Sequence, residues 1–195
     1  MLKPFHRGRF ALPTLLTATA VVLQPLDRSG LLRYQRTALE EGEWWRLLTA
    51  HLVHLGVSHL LLNLLGLWVV WAVVGRVLGN LRGAVALLCS AISIDAGLWW
   101  LQPRVEWYVG LSGVLHGLLV AGGLALVRDG ERRLGWLLFG AVAAKVAWEQ
   151  FHGVAGLRPE WIGGQVIVAA HLYGAAGALL ALPAWRTTGS PRRPA

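Results

Sequence analysis

Six apolar segments separated by short polar stretches dominate this sequence and restrict what the chain can fold into. A helix of about 20 apolar residues crosses the hydrocarbon core of a bilayer, and a helix in lipid satisfies its own backbone polar groups. The segments lie near residues 10–26, 47–74, 83–101, 111–127, 134–151 and 165–185. We therefore predict an all-α membrane protein with six transmembrane helices. One domain would cover residues 1–186, and the proline- and arginine-rich tail at 187–195 would be disordered.

The composition agrees with a membrane protein and excludes several other classes. The 195 residues are 55% hydrophobic and only 14% charged, which is too apolar for an ordinary soluble domain. The single cysteine, Cys89, leaves no internal disulfide framework and no cysteine-rich metal site. The net charge of +8 is typical of some nucleic-acid-binding proteins. However, the basic residues stand in small groups between apolar runs and form no basic face, so we expect no nucleic-acid partner.

The basic residues are distributed unevenly between alternate loops. One set, which includes both termini, carries eleven Lys and Arg against two acidic residues, whereas the opposite set carries six of each. The more basic loops face the cytoplasm, so both termini are expected there, and the loops at 27–46, 102–110 and 152–164 are expected to face outward. Lys3, Arg7 and the first apolar run also resemble a secretory signal peptide. We expect a retained first helix because further apolar segments follow directly.

The first candidate group for chemistry lies at the start of the fourth segment. Ser112, between Gly110 and Gly113, is expected at the N-terminus of a helix, where free N–H groups and the helix dipole favour an anion. The oxyanion of an acyl-transfer reaction is such an anion. Gly113 and Gly117 leave one helix face bare, so another helix can approach closely. The alternative is that this serine and these glycines serve helix packing alone.

The second group lies in the sixth segment, where His171 is expected at the same depth as Ser112. A histidine within hydrogen-bond reach of a serine can take its proton, which predicts a nucleophile and its general base. Gly174 offers a small-residue face to the fourth segment, and His116 is expected to pack beneath His171 and hold its ring. No acidic side chain is expected at that depth, so we predict a dyad. Alternatively, His171 is a lone buried histidine bonded to a backbone carbonyl.

Polar residues also cluster at the outer part of the second segment. His59 and Asn63 are four residues apart and share a helix face, from which both can donate hydrogen bonds to the oxyanion that Ser112 would create. His54 lies five residues before His59, so it is expected to turn away and brace the preceding loop. Zinc is the alternative, but the HExxH pattern is missing and no glutamate lies among these histidines. We expect neither a metal nor another cofactor.

Two further charged groups lie within apolar segments. Lys145 and Glu149 are four residues apart and are expected to form an internal ion pair. In the alternative, Glu149 makes a charged contact near a substrate entrance. Asp95 has no second catalytic aspartate, so an aspartyl intramembrane protease is not expected.

Taken in order, these groups resemble the rhomboid intramembrane proteases. The family pattern has a Trp-Arg pair in the first outer loop, His…His…Asn in the second span, Gly-x-Ser-Gly in the fourth and His-x-x-Gly in the sixth. The corresponding residues are Trp45 and Arg46; His54, His59 and Asn63; Gly110, Ser112 and Gly113; and His171, Tyr173 and Gly174. The resemblance implies a six-helix rhomboid-like bundle with Ser112 and His171 as catalytic residues. It also implies that His59, Asn63 and the Ser112 backbone N–H stabilise the oxyanion.

A narrower resemblance is to the rhombosortase subfamily. It rests on residues 43–54 (EWWRLLTAHLVH), 107–117 (WYVGLSGVLHG), 148–150 (WEQ) and 170–174 (AHLYG). By resemblance, the substrates would be exported bacterial proteins with a C-terminal tail containing Gly-Gly, a transmembrane helix and a basic cluster. Cleavage would release or re-anchor these proteins at the cell surface, alongside type II secretion. Trp148 and Glu149 are then candidate substrate contacts.

That resemblance also implies a location and leaves alternatives open. The protein would span the lipids of the bacterial cytoplasmic (inner) membrane several times, with its active site open to the periplasmic side. Typical rhomboids carry tyrosine four residues after the serine, where this chain has His116. The alternatives are a general rhomboid protease with other single-span substrates, an inactive rhomboid-like binder of membrane helices, and a small transporter. Hydrolysis and transfer to an external amine or thiol are both compatible with the sequence, which carries no signal for an oligomeric state.

Overall fold

The computed structural model describes residues 7–156 and 158–181. Its helices are α1 (Ala11–Leu23), α2 (Arg36–Glu40), α3 (Arg46–Thr49), α4 (Val57–Leu101), α5 (Ser112–Arg128), α6 (Arg132–His152), α7 (Pro159–Ile162) and α8 (Ala169–Gly177). Turns of 3₁₀ helix flank α1 at Arg7–Phe10 and Gln24–Asp27 and extend α8 over Ala178–Ala181. The end of the sixth expected segment, the tail at 187–195 and the C-terminus lie outside the described residues.

Two stretches, Gly8–Asp27 and Val57–Leu101, are long and apolar enough to cross a membrane, and α5 and the α8 region are apolar but shorter. Length and composition do not by themselves separate a membrane span from a buried core helix. Large apolar side chains on the outer faces of the bundle add a second observation: Leu137 is 71% exposed and Phe151 is 84% exposed. Exposed apolar side chains of this kind are costly in water and favourable in lipid.

Helix α4 is divided in two by Gly79, which has φ 64° and ψ 175°. His51 lies shortly before the first half begins, and Asp95 lies near the end of the second half, yet their side chains are in contact. The two halves therefore run antiparallel. Gly83 packs so closely on Trp71 that a Cβ there would lie 2.8 Å from the indole ring. The halves, residues 57–78 and 80–101, therefore correspond to the second and third apolar segments.

The second segment was expected to be helical from residue 47, and this is wrong for residues 50–56. Helix α3 ends at Thr49, residues 50–56 form turns and bends, and α4 begins at Val57 after an extended Gly56. Gln24 holds this irregular stretch: its side-chain amide donates to the His54 carbonyl (3.0 Å), and its carbonyl oxygen accepts from the His54 N–H (2.8 Å). These tertiary bonds replace helical ones, so residues 50–56 have no need to continue α4.

A two-stranded antiparallel sheet lies at the same end of the bundle and adds a small β element to the expected all-α fold. Strand β1 (Tyr34–Gln35) pairs with β2 (Trp107–Tyr108), with Tyr34 opposite Tyr108. The sheet joins the loop after α1 to the loop before α5. It therefore fixes the approach of the chain to Ser112.

The Trp-Arg pair organises the first of these loops. The buried Arg46 donates to the carbonyl oxygens of Gly30 (2.6 Å) and Arg33 (3.0 Å) and pairs with Glu43. The indole N–H of Trp45 donates to the Leu31 carbonyl at 3.2 Å. Both side chains thus bind loop backbone rather than lying near Ser112.

Helix α5 is the centre of the bundle and packs against α4, α6 and α8. Its contact with α8 is a close backbone approach between glycines. A Cβ on Gly174 would lie 2.1 Å from the Gly113 carbonyl oxygen, and one on Gly117 would lie 2.5 Å from the Gly174 carbonyl oxygen. Glycine is therefore required at these positions if α5 and α8 are to cross at this distance.

Candidate active site

Ser112 and His171 meet where α5 and α8 cross. Ser112 is the first residue of α5, and its Oγ lies 2.9 Å from Nε2 of His171. The ring of His171 is buried, with 3% of the residue exposed, whereas Ser112 is half-buried. A serine hydroxyl at this distance from an unprotonated imidazole nitrogen has the geometry of a nucleophile with its general base.

A carboxylate contacts the other nitrogen of His171. Oε2 of Glu149, on α6, lies 2.8 Å from Nδ1. A carboxylate only accepts hydrogen bonds, so Nδ1 carries the proton and Nε2 is left to accept from Ser112. The expectation that no acidic side chain would lie at this depth is wrong. The side chain of Glu149 is 2% exposed and faces His171, and a substrate contact by Glu149 stays a prediction.

Lys145 and His116 complete a closed set of contacts. The predicted ion pair is present, with Lys145 Nζ 2.5 Å from Glu149 Oε1. The same ammonium lies 3.0 Å from His116 Nε2, and His116 Nδ1 lies 2.8 Å from the Ser112 carbonyl oxygen. The rings of His116 and His171 stack with centroids 4.2 Å apart and planes 20° apart. His116 thus lies against His171 as the sequence suggested.

His59 and Asn63 lie on the neighbouring turn of α4, and both are buried. Nδ1 of His59 accepts from the Leu55 N–H at 3.3 Å, which leaves its Nε2–H free to donate. Asn63 Nδ2 donates to the His59 carbonyl at 2.9 Å. His59 packs against Gly110, where a Cβ would lie 2.9 Å from the ring. Of the two, His59 is the side chain that reaches the space beside Ser112.

His54 does not turn away from His59 as its spacing suggested. The two rings lie edge to face, with centroids 5.2 Å apart. The expectation assumed helical spacing, and residues 50–56 are not helical. Within the described part of the chain, neither ring nitrogen of His54 has a hydrogen-bond partner.

A cavity of about 380 Å³ opens beside the serine. Ser112 and His59 line its inner wall, and the exposed Arg104 and Glu106 lie at its rim. The stretch before α8, including Gln165, covers another side. The space is wide enough for an extended peptide segment or several water molecules, and it reaches the nucleophile from the end of the bundle where the sheet lies.

Tyr108 is a site residue that the sequence did not single out. Its hydroxyl donates to the Gly110 carbonyl at 2.8 Å, and this bond fixes the turn immediately before Ser112. Burial raises the pKa of the Tyr108 phenol, so the donor proton is retained. A tyrosine on a loop carries no distinguishing pattern, and only its pairing with Tyr34 across the sheet brings it here.

The expected supporting residue Tyr173 and the candidate substrate contact Trp148 lie away from the serine. Tyr173 accepts a hydrogen bond from Gln102 at 3.2 Å, and its ring covers Gly97. Trp148 stacks on His152 and is 55% exposed, so it faces the surroundings of the bundle. Tyr173 therefore packs one helix against another, and a substrate contact by Trp148 stays a prediction.

Two sets of side chains bear on the expected absence of metal and aspartyl chemistry. The donor atoms of His116, Glu149 and His171 lie within 4.8 Å of one another, a composition that can bind a metal ion. The Lys145 ammonium contacts two of the three, however, and a second cation beside it would be repelled. Asp95 Oδ1 lies 3.3 Å from His51 Nε2, so its nearest ionisable partner is a histidine.

An apolar helical bundle with a serine, a histidine and a polar cavity at one end is the arrangement that an intramembrane serine peptidase would need. The comparison with known families agrees: residues 41–186 match the Rhomboid domain family, and this chain therefore belongs to it. Rhomboid protease GluP of Bacillus subtilis (strain 168) is 33% identical over 100 residues, which are 51% of this chain and 19% of GluP. YdcA of the same strain is 36% identical over 77 residues, 40% of this chain and 39% of YdcA. The chain thus matches well under two thirds of the length of either relative.

Proposed function

We propose that this protein is an intramembrane serine endopeptidase in which Ser112 attacks and His171 acts as general base. The 2.9 Å separation of Ser112 Oγ and His171 Nε2, beside a cavity that reaches the serine, is the observation that carries the proposal. Membership of the rhomboid family, whose proteases are serine intramembrane peptidases, supports it. Retention of both residues disfavours an inactive binder of membrane helices.

The reaction follows from the donors around Ser112. As the Ser112 hydroxyl proton passes to His171 Nε2, Oγ forms a bond to the scissile carbonyl carbon. The Nε2–H of His59 and the Ser112 backbone N–H then donate to the oxyanion. Asn63 holds His59 through the hydrogen bond from its Nδ2 to the His59 carbonyl, and a direct bond from Asn63 to the oxyanion stays a prediction. One such donor typically lowers the barrier by about 3–4 kcal/mol. His171 returns the proton to the leaving amine as the C–N bond breaks, and water from the cavity hydrolyses the ester. An external amine or thiol in place of water would give transfer instead.

The substrate class in this proposal is the C-terminal tail of exported bacterial proteins, with Gly-Gly, a transmembrane helix and a basic cluster. The resemblance of residues 107–117 and 148–150 to the rhombosortases supports it. Glycine disfavours a helix by about 1 kcal/mol per residue relative to alanine, so a Gly-Gly segment unwinds readily into an extended form. The tail helix would approach between the first half of α4 and α6, which both pack on α5 and expose apolar side chains such as Leu65 and Leu137.

The proposed topology has six spans, both termini in the cytoplasm and the cavity facing the periplasm. The cavity, the sheet and the loop that Arg46 organises all lie at one end of the bundle. The opposite end carries the basic loops, including Arg76, which pairs with Glu131. This separation supports the orientation that loop charges indicate, in which the active site would face the outer side of the bacterial inner membrane.

Co-expression with a reporter tests the proposal. The reporter ends in Gly-Gly, a transmembrane helix and a basic tail, and a second reporter carries an unrelated single span. We expect the wild type to shorten the first reporter, and Ser112→Ala and His171→Ala to leave it whole. Ser58→Ala and His152→Ala, which change exposed residues of the same types, are the controls and should cut normally. Cleavage of both reporters alike would indicate a general rhomboid protease, and cleavage by Ser112→Ala would refute the proposed nucleophile.

A further inference from the structure

Five residues, Ser112 among them, form a closed ring of contacts. Around the ring, Ser112 Oγ meets His171 Nε2 (2.9 Å), His171 Nδ1 meets Glu149 (2.8 Å), and Glu149 meets Lys145 (2.5 Å). Lys145 then meets His116 Nε2 (3.0 Å), and His116 Nδ1 returns to the Ser112 carbonyl (2.8 Å). The ring thus joins α5, α6 and α8 at the reactive serine.

The identities of the ring members assign every proton. The Ser112 carbonyl can only accept, so His116 Nδ1 carries a hydrogen and donates to it. Lys145 can only donate, so His116 Nε2 has a free lone pair and the imidazole is neutral. On the other side, Glu149 can only accept, so His171 holds its hydrogen on Nδ1. Nε2 is then the atom that faces the Ser112 hydroxyl as an acceptor.

We propose that Glu149 is a positioning residue that holds His171 in its reactive tautomer and offsets the charge that His171 gains, with Lys145 and His116 holding Glu149 in place. This rests on the proposed serine peptidase function and adds a third member to its dyad. When Nε2 takes the serine proton, His171 becomes an imidazolium whose Nδ1–H remains on His171 and donates to the Glu149 carboxylate. The carboxylate itself is not protonated.

The surroundings of His171 are suited to that transient positive charge. The ring that stacks on it at 4.2 Å belongs to His116, which the Lys145 contact keeps neutral, so no second imidazolium opposes protonation. Lys145 is fully paired with Glu149, so the two formal charges cancel when His171 is neutral. Protonated His171 therefore lies beside a carboxylate on one side and a neutral ring on another.

A fluorophosphonate carrying a fluorophore tests this without any peptide substrate, because it reacts with activated serines directly. In the full-length protein, we expect Glu149→Gln to slow labelling of Ser112 by roughly 10⁴-fold, the loss of rate seen when the acid of a Ser-His-acid triad is replaced. Glu131→Gln is the matched control, since Glu131 precedes the same helix and also pairs with a basic side chain, Arg76. It should label at the wild-type rate.

A double-mutant comparison separates positioning from general damage. If Glu149 acts through His171, Glu149→Gln should cause no further loss once His171 is alanine. A merely structural role would lower the labelling rate in both backgrounds, and that result overturns the inference, as would wild-type labelling by Glu149→Gln. If Glu149→Gln fails to fold, the Lys145→Met/Glu149→Gln variant removes both charges together. Its labelling rate is then compared with and without His171→Ala in the same way.

The same experiment distinguishes failure of the inference from failure of the proposed function. If the wild type is labelled and Ser112→Ala is not, the serine chemistry stands, and the effect of Glu149→Gln decides the inference alone. If the wild type is not labelled, the serine is not activated, and the proposed function is refuted together with its third member.

Discussion

Replacing Gly174 by alanine tests whether the crossing of α5 and α8 sets the distance between the serine and the histidine. The added Cβ would lie 2.1 Å from the Gly113 carbonyl oxygen and 2.6 Å from its carbonyl carbon. Both atoms belong to backbone that cannot rotate away. The helices must therefore separate by about 1 Å to reach ordinary contact distance, since close-packed interiors do not absorb such overlap.

That separation has a direct effect on the reactive pair. Gly174 follows His171 by three residues on α8, and Gly113 follows Ser112 on α5, so the helices would part next to the 2.9 Å hydrogen bond. An added 1 Å takes Oγ and Nε2 beyond hydrogen-bond distance. A misplacement of that size can cost about 10²-fold in rate, so we expect Gly174→Ala to slow labelling of Ser112 by about that factor.

The stability change is expected to be much smaller than the change in rate. Overpacking a core typically costs about 1–3 kcal/mol, whereas glycine to alanine within a helix returns about 1 kcal/mol. Gly140→Ala on α6 is the matched control because a Cβ there meets nothing within 4 Å. Fluorophosphonate labelling and thermal unfolding in detergent measure the two effects. Wild-type labelling by Gly174→Ala would show that the helix crossing does not set the reactive distance.

Three further substitutions probe other parts of the molecule. His59→Ala should lower the cleavage rate by about 10²–10³-fold with little change in KM, because it removes one oxyanion donor; an effect on KM alone would contradict this role. Gly79→Ala should lower stability by about 1–3 kcal/mol, since φ 64° with ψ 175° is accessible essentially to glycine alone; an unchanged unfolding midpoint would show that this turn is not strained by alanine. Arg46→Ala leaves the Gly30 and Arg33 carbonyls without their charged donor. It should cost about 3 kcal/mol and increase protease cleavage within the loop, and an equally resistant loop would contradict its bracing role.

The apolar pattern predicted most helix positions because each helix needs a run of apolar residues to face lipid or the core. Helix α5 begins one residue after the expected start, and α6 extends the expected segment by a residue or two at each end. The apolar pattern misled where backbone N–H and C=O groups form hydrogen bonds with a side chain distant in sequence instead of within a helix. The side chain of Gln24 binds the His54 backbone, and no local signal in residues 50–56 reveals that distant partner.

The candidate site shows a similar division. Ser112 and His171 could be paired from sequence because each lies beside a glycine-rich helix face near the same end of its segment. Glu149 was paired with Lys145 from their spacing alone, and its second oxygen was not assigned a partner. A signal did exist: a carboxylate within an apolar segment needs its lone pairs satisfied, and Lys145 accounts for only one of its two oxygens.

The need of polar groups within apolar segments for hydrogen-bond partners also explains the histidine at position 116. In typical rhomboids a tyrosine occupies the corresponding position, and a phenol carries one oxygen where imidazole carries two nitrogens on opposite sides of its ring. His116 uses one nitrogen on the Ser112 carbonyl and the other on Lys145, so it can link α5 to a charge on α6. Lys145 in turn holds Glu149, which binds His171. Loss of any one of these three would leave polar groups unpaired among apolar helices, where they are costly. His116, Lys145 and Glu149 therefore form one arrangement. Together they orient His171 toward Ser112.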